Sequence, residues 1–181
     1  MLKVVVLISG GGSNLKALLD AAADSAYPAT IVAVGSDTDA SGLQYAHEAS
    51  IPTFTVRPRD FDSRDAWGEA FAAEIRRYAP DLVVSAGLMR VLPAGFVREF
   101  SPNLINTHPA MLPLFPGAYA VRDALAAGAT ETGVTVHIID EGVDTGPVLR
   151  QQSVSILAAD SEDALHERSH QAARPLLVET V

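Results

Sequence analysis

The first twenty residues combine a strand, a glycine turn and a helix, and this combination limits the folds open to the chain. Residues 4–8 are a continuous run of valine, leucine and isoleucine, as in strands that are covered on both faces. Residues 9–14 read Ser-Gly-Gly-Gly-Ser-Asn, and helical apolar periodicity starts at Leu15. This order is typical of α/β proteins with a parallel sheet.

The same alternation continues along the chain. Trp67, Phe71, Ile75 and Tyr78 form the apolar stripe of a helix between two strand-like runs. We therefore predict an α/β fold, with a doubly wound, mainly parallel sheet flanked by helices, in one domain spanning residues 1–181. Strands are expected at 4–8, 30–34, 53–56, 81–85, 104–108, 132–139 and 148–154, and helices at 15–19, 42–49, 63–78, 121–127 and from Ser161 onward.

Composition removes several classes of function. The chain has no cysteine, which excludes disulfides, thiolate nucleophiles and cysteine-ligated zinc and fits a cytoplasmic location. No apolar run approaches the length of a membrane span, and the N-terminus does not read as a signal peptide. The net charge of −9 disfavours nucleic acid as a partner. A small phosphorylated ligand stays compatible, because a local site can bind phosphate whatever the net charge.

Asn106 and His108 are the strongest candidates for chemistry. They follow the apolar pair Leu104-Ile105, so they lie two residues apart at the end of a predicted strand, and Pro109 then ends the ladder. That spacing puts both side chains on one face and Thr107 on the other. An amide donor beside an imidazole suits a carbonyl whose oxygen becomes negative in the transition state. The alternative is a capped strand end with a hydrogen-bonded histidine.

The acidic loop at residues 140–147 offers a partner for that histidine. Three acids in one loop raise the question of a metal, but the spacing is not that of a calcium loop and no cluster of Cys and His accompanies it. We therefore expect no metal. Asp144 is better placed as a carboxylate that orients the His108 ring. His137 is interpreted as a structural hydrogen-bonding residue, and the remaining histidines as surface residues: His47, His166 and His170.

The glycine turn is a candidate phosphate site. Glycines let backbone N–H groups approach an anion, and the following helix adds its dipole. The turn lacks the third glycine of a dinucleotide fingerprint and the Gly-Lys-Ser/Thr of a P-loop, so bound NAD or ATP is not expected. A single phosphate held by Gly12, Ser13 and Asn14 fits better. A tight turn without a ligand is the alternative. Residues 86–93 form an apolar loop that either lines a pocket for a flat ring or belongs to the core.

Together these motifs resemble a known family. Residues 106–113, 115–117 and 144–147 read Asn-Thr-His-Pro-Ala-Met-Leu-Pro, Phe-Pro-Gly and Asp-Thr-Gly-Pro, which resemble the folate-dependent formyltransferases. Residues 12–14 and 89–92 resemble the corresponding residues in the branch of this family that formylates glycinamide ribonucleotide in purine synthesis. The resemblance implies the formyltransferase fold with a Rossmann-like N-terminal half. It also implies 10-formyltetrahydrofolate as co-substrate, glycinamide ribonucleotide as acceptor and no metal, and it is compatible with a homodimer.

The resemblance also implies roles for individual residues. In this reading the amine attacks the formyl carbon directly, Asn106 and His108 stabilise the oxyanion, and Asp144 relays a proton. The residues of the substrate-phosphate loop are Gly12, Ser13 and Asn14. Those of the folate pocket are Arg64, Met89, Arg90, Val91, Leu92, Asp140, Glu141 and Val143.

The sequence departs from the family in three places. Tyr119 stands where relatives usually have a histidine near the catalytic aspartate, and Ala173 where they usually have a glutamate that contacts the glycinamide substrate. Relatives also usually continue beyond Val181. Residues 169–174 do not match the family, although the residues on either side of them do. We interpret this block as a compensated change of reading frame. A helix through this block would put Ser169 and Ala173 on its inner face, and Pro175 disfavours its continuation.

Three other functions share parts of this pattern. A formyltetrahydrofolate deformylase uses a similar trio of residues with water as acceptor, usually behind an additional N-terminal domain. Methionyl-tRNA formyltransferase needs a nucleic-acid-binding domain, for which an acidic chain of 181 residues has no room. A non-catalytic folate or nucleotide binder descended from the enzyme is the alternative that Tyr119 and Ala173 favour.

Overall fold

The fold was analysed in a computed structural model that describes residues 1–181. Strands and helices alternate through most of the chain, as predicted. The strands are β1 (Leu2–Ile8), β2 (Ala29–Ser36), β3 (Thr53–Thr55), β4 (Leu82–Ser85), β5 (Leu104–His108), β6 (Glu131–Ile138) and β7 (Val148–Ser155). The helices are α1 (Ser13–Ala22), α2 (Leu43–Glu48), α3 (Arg64–Arg76), α4 (Ala94–Phe100), α5 (Ala120–Ala126) and α6 (Glu162–Thr180).

All seven strands form one sheet in the order β3-β2-β1-β4-β5-β6-β7. The first five are parallel to one another, and β6 and β7 are antiparallel additions at one edge. The predicted doubly wound, mainly parallel sheet is therefore confirmed. From β1 the chain moves outward to β2 and β3, and then returns to the other side of β1 as β4. Ligands of such sheets bind at this reversal, beyond the carboxyl ends of the strands.

Both faces of the sheet are covered, which is why β1 is apolar throughout. Val4, Val6 and Ile8 face a core that also contains residues of α1 and α6. Val5 and Leu7 face the opposite core, which includes Trp67 and other apolar residues of α3 and α4. Successive residues of a strand point to opposite faces, so a strand between two layers needs an apolar residue at every position.

Helix α6 differs from its prediction at one point. It begins as expected, with the Ser161 side chain accepting a hydrogen bond from the Ala164 backbone N–H. Pro175, however, lies inside a helix that continues to Thr180, so the expected interruption is wrong. Leu165 on one side of the proline and Leu177 on the other are completely buried, and this packing holds the two halves in one helix. None of the helices is both long and apolar enough to span a membrane.

Candidate active site

A cavity of about 870 Å³ lies at the carboxyl ends of the central parallel strands. Its walls come from the glycine turn after β1, the apolar loop after β4, the end of β5, the loop between β6 and β7, and the inner face of α6. Some of the predicted site residues lie more than a hundred residues apart in the sequence. The parallel topology brings them together at one edge of the sheet. Of these residues, only Arg64 does not line the cavity.

Asn106 and His108 lie where the sequence predicted, at the end of β5. His108 is 5% exposed, and its Nε2 atom is 2.8 Å from the carbonyl oxygen of Phe115. A carbonyl can only accept, so this nitrogen carries a proton and donates it. Thr107 faces the other way, where its hydroxyl lies 3.5 Å from the side-chain amide of Asn14 on α1. The predicted alternation of side chains is confirmed.

Asp144 reaches the same point from the loop after β6. Its Oδ2 atom is 3.5 Å from His108 Nδ1 and accepts a hydrogen bond of 2.8 Å from the backbone N–H of Gly117. Its backbone is left-handed, with φ of 54°, a conformation that aspartate tolerates better than most residues. The predicted proximity of the carboxylate and the imidazole is therefore present. His108 thus has an oxygen atom near each ring nitrogen.

His137 belongs to this cluster as well, although the sequence indicated a purely structural residue. It pairs with Asn106 across β5 and β6. Its Nε2 atom is 3.4 Å from Asn106 Nδ2 and 3.7 Å from Asp144 Oδ1. Burial lowers the pKa of His137, which favours the neutral ring. The antiparallel direction of β6 was the missing information, because only that pairing puts residue 137 opposite residue 106.

The glycine turn opens α1 at the other end of the cavity. Gly12 is the N-cap residue of α1 and has φ of 71°, which favours glycine. It also packs tightly on a neighbouring turn, since a Cβ atom there would be 3.1 Å from the Cα of Gly42. Ser13 and Asn14 begin the helix and line the cavity, and Asn14 Oδ1 is buried without a hydrogen-bond partner. The first N–H groups of a helix have no partner within it, so a turn that lines the cavity here offers the donors that an anion requires.

The apolar loop forms the wall opposite the acidic loop. Met89 and Val91 are 75% and 62% exposed, and Leu92 packs partly on the core. Arg90 Nε donates to the buried carboxylate of Asp37 at 2.9 Å. Arg64 lies behind the loop and donates a 2.7 Å hydrogen bond to the carbonyl of Val91. Arg64 therefore does not line the cavity itself but contacts a loop that does, and its predicted role toward folate stays a prediction.

The acidic loop forms another wall of the cavity. Asp140 Oδ1 accepts hydrogen bonds from the Gly142 backbone and the Thr145 hydroxyl, which fixes the loop from within. Glu141 accepts a hydrogen bond from Arg98 at 2.9 Å. Val143 is 55% exposed at the mouth of the cavity. Exposed apolar side chains on both loops leave a slot with two hydrophobic sides, which suits a flat ring system.

Helix α6 supplies a further wall, of which the sequence predicted the inner face at Ser169 and Ala173 but not the histidines. His166 and His170 line the cavity with ring centroids 4.2 Å apart, together with Arg174. The pKa of His170 is lowered, first by burial and then by His166. His166 is exposed, as predicted, whereas His170 is half-buried, so the expectation of a surface residue is wrong for His170. The spacing of four along a helix could have revealed that the two share a face. Ala173 and Ser169 are buried on the inner face, as predicted.

Tyr119 stands apart from the cluster of His108, His137 and Asp144. Its side chain is 60% exposed, and its ring lies 4.7 Å from the guanidinium of Arg122. The turn before it still reaches Asp144 through the backbone N–H of Gly117. The hydrogen bonding of Asp144 therefore rests on the backbone of the turn and does not involve the side chain at position 119.

Comparison with known proteins agrees with this geometry. The profile of the family described as "Formyl transferase" matches residues 2–181. A phosphoribosylglycinamide formyltransferase of Mycobacterium tuberculosis is 52% identical over 179 residues, which cover 99% of this chain and 83% of the relative. The enzyme of the same name from Escherichia coli strain K12 is 44% identical over 168 residues, 92% of this chain and 79% of its own.

The solved structures agree as well. The crystal structure of glycinamide ribonucleotide transformylase 1 from Symbiobacterium toebii superposes with a TM-score of 0.96 at 36% identity, over 99% of this chain and 85% of that chain. The resemblance noted in the sequence is confirmed by the profile, by the relatives and by the fold. The chain belongs to the formyl transferase family.

Proposed function

We propose that the protein transfers the formyl group of 10-formyltetrahydrofolate to the amino group of glycinamide ribonucleotide, in purine synthesis. The observation that carries this proposal is the convergence of Asn106, His108 and Asp144 between a phosphate-type turn and a slot for a flat ring. The names of the relatives from Mycobacterium tuberculosis and Escherichia coli support the same reaction.

The two ends of the cavity suit the two substrates. Gly12, Ser13 and Asn14 hold the phosphate of the ribonucleotide through helix N–H groups. The folate ring lies between the loop of Met89, Arg90, Val91 and Leu92 and the loop of Asp140, Glu141 and Val143. With the phosphate and the ring at opposite ends, the amine and the formyl carbon meet beside the cluster. Holding both reactants in this way supplies a large part of the rate acceleration.

The cluster then acts on the charges that develop. The amine nitrogen of the ribonucleotide forms a bond to the formyl carbon, and the carbonyl electron pair moves onto its oxygen. Asn106 Nδ2 and a protonated His108 donate to that oxyanion. His108 Nε2 is occupied by Phe115, so Nδ1, whose 3.5 Å contact with Asp144 is longer than a usual hydrogen bond, is the nitrogen that turns to the substrate.

Proton transfers complete the exchange. The attacking nitrogen becomes cationic and loses a proton to the Asp144 carboxylate, through water. The oxyanion then re-forms the carbonyl as the bond between carbon and folate nitrogen breaks, and His108 protonates the departing nitrogen. The products are the formylated amide and tetrahydrofolate, and no covalent bond to the protein forms. Neutral His137 donates from Nδ1 to the Ile138 carbonyl, so its Nε2 accepts from Asn106 Nδ2 and supports the orientation of that amide.

A formyl-transfer assay with and without glycinamide ribonucleotide tests the proposal. We expect tetrahydrofolate to form only when the ribonucleotide is present, in equal amount with formylated product. Formation of tetrahydrofolate and formate without acceptor would identify a deformylase. Binding of folate with neither reaction would identify a non-catalytic binder. Both of these outcomes would contradict the proposed transfer.

A further inference from the structure

One buried carboxylate ties together the loops that follow three neighbouring strands. Asp37 follows β2 directly and is 2% exposed. Its Oδ1 atom accepts a 2.6 Å hydrogen bond from the hydroxyl of Ser9, and its Oδ2 atom accepts a 2.9 Å hydrogen bond from Arg90 Nε. Each oxygen of one rigid carboxylate therefore serves a different loop, the glycine turn after β1 and the apolar loop after β4.

Ser9 extends this network in both directions. Its hydroxyl also accepts a 2.8 Å hydrogen bond from the backbone N–H of Met89, and its own N–H donates to the carbonyl of Gly87 at 3.1 Å. Ser9 is the residue immediately before the three glycines, so it fixes the start of that turn. The guanidinium of Arg90 lies 5.9 Å from the ring of Trp67 in the core. The two loops cannot move independently without breaking at least one of these contacts.

The surroundings make these bonds strong. A carboxylate removed from water is held by its charged partner and by hydrogen bonds, and charge-assisted bonds exceed neutral ones in strength. A second ion pair, Asp39 with Arg57, lies two residues further along. The Asp39 side chain is 76% exposed, so water screens that pair and it contacts neither loop. The chain thus contains one ion pair with a buried carboxylate, which joins the two loops, and one with an exposed carboxylate, which contacts neither of them.

We propose that Asp37 is a positioning residue that couples the two substrate subsites through Ser9 and Arg90. A ligand that orders one loop also orders the other through the shared carboxylate, so the second ligand has less conformational entropy to lose. Coupling of this kind is reciprocal, and each substrate tightens the binding of the other by the same factor. This inference rests on the proposed function, because it takes the two loops to bind two different substrates.

Calorimetry with a non-reactive pair of ligands tests the coupling. Tetrahydrofolate lacks the formyl group, so its affinity and that of glycinamide ribonucleotide can be measured singly and together. For the unaltered protein we expect each ligand to tighten the other by about fivefold or more. Asp37→Asn keeps an acceptor for Ser9 but loses the charge that holds Arg90, and the factor should fall close to one. Ser9→Ala, which keeps the ion pair, should lower it as well. Asp39→Asn is the matched control and should keep the full factor.

A second measurement does not depend on the ligands. Amide hydrogen exchange in the free protein should rise in both residues 10–13 and residues 87–91 in Asp37→Asn and in Ser9→Ala, and in neither segment in Asp39→Asn. An unaltered coupling factor in both variants, or no coupling in the unaltered protein, would overturn the proposal. A rise in exchange confined to one loop would overturn it too. If the unaltered protein neither bound the ribonucleotide nor transferred the formyl group, the proposed function would be contradicted instead. The hydrogen-exchange result would still decide whether Asp37 joins the two loops.

Discussion

The two sides of the cavity are built in different ways. On the strand side, His108, His137 and Asp144 each have polar partners, and Asp144 lies 3.5 Å from His108 and 3.7 Å from His137. On the helix side, Ser169 Oγ and Arg174 Nε are buried without any hydrogen-bond partner. One side is a completed network, whereas the other carries polar groups that have capacity left for a ligand.

The difference follows from how each side is held. The strand side is fixed by ladder pairing, which sets Asn106 opposite His137 in the register of β5 and β6. The helix side has no ladder pairing, and α6 is held by its packing on the sheet, through buried residues such as Leu165 and Leu177. Ladder pairing orders side chains before a substrate arrives, and pre-ordered groups act best on the transition state. We therefore expect changes on the strand side to alter turnover and changes on the helix side to alter the affinity for the acceptor.

The largest effect should come from the strand side. His108→Ala and Asp144→Asn should each lower kcat by about 100- to 1000-fold, by analogy with the loss of one oxyanion donor, with folate affinity nearly unchanged. Steady-state kinetics and folate titration measure the two quantities. His47→Ala and Asp163→Asn, both on exposed residues, serve as controls. A near-normal kcat in either cluster variant would show that the trio is not the catalytic machinery.

A smaller effect should come from the helix side. Ala173→Glu restores a carboxylate to the cavity wall and should tighten glycinamide ribonucleotide by about fivefold to 150-fold, equivalent to about 1–3 kcal/mol for a buried partner that is otherwise unpaired. Folate affinity should not change. Ala173→Gln provides similar shape without charge and should give less. If the unaltered chain already binds glycinamide ribonucleotide tightly and Ala173→Glu does not raise the affinity, then Ala173 does not impair the site.

The glycine turn offers a test of similar design. Gly12→Ala and Gly128→Ala both force alanine into a left-handed conformation, so each should lose roughly 1–2 kcal/mol of stability. Only Gly12 lies at the cavity, so only Gly12→Ala should also weaken glycinamide ribonucleotide, by about tenfold. Thermal unfolding and titration measure the two losses. If both variants bound the ribonucleotide equally well, the turn would have no role in binding. A crystal structure with the substrate phosphate away from the turn would show the same.

The smallest effect concerns pH. Burial lowers the pKa of His137 on the strand side and of His170 on the helix side. The unfolded chain therefore binds protons near pH 6 that the folded protein does not, so stability is complete above the ordinary histidine pKa of about 6.5 and falls as the pH decreases below it. Urea unfolding between pH 7.5 and 5.5 should show a shallower fall in His137→Gln and in His170→Gln than in the unaltered protein. His47→Gln, on an exposed residue, should leave the slope as it is.

Much of the fold could be predicted because local patterns and tertiary packing agree. The unbroken apolar run of β1 predicted a strand between two layers, and both layers are present. The stripe from Trp67 to Ile75 predicted α3 and its buried face. The prediction failed at Pro175, where the local cost of a missing N–H is outweighed by burial of leucines on either side.

The site could be predicted in part, for a related reason. Asn106 and His108 are two residues apart in one strand, so their shared face is a local property. The positions of His137, His170 and Arg64 depend on elements far apart in the sequence. No local pattern records that β6 runs antiparallel to β5, that α6 covers the cavity, or that α3 lies behind the apolar loop.

Residue type and short spacing were enough to predict the strands, every helix except α4, the glycine turn and the kinds of side chain available at Asn106, His108 and Asp144. Only the tertiary structure decided which groups meet across the sheet. Asp37 lies 28 residues from Ser9 and 53 from Arg90, yet one carboxylate binds both. Parallel strands bring their carboxyl ends together whatever lies between them in the sequence, and the contacts made there are set by sheet order and side-chain packing.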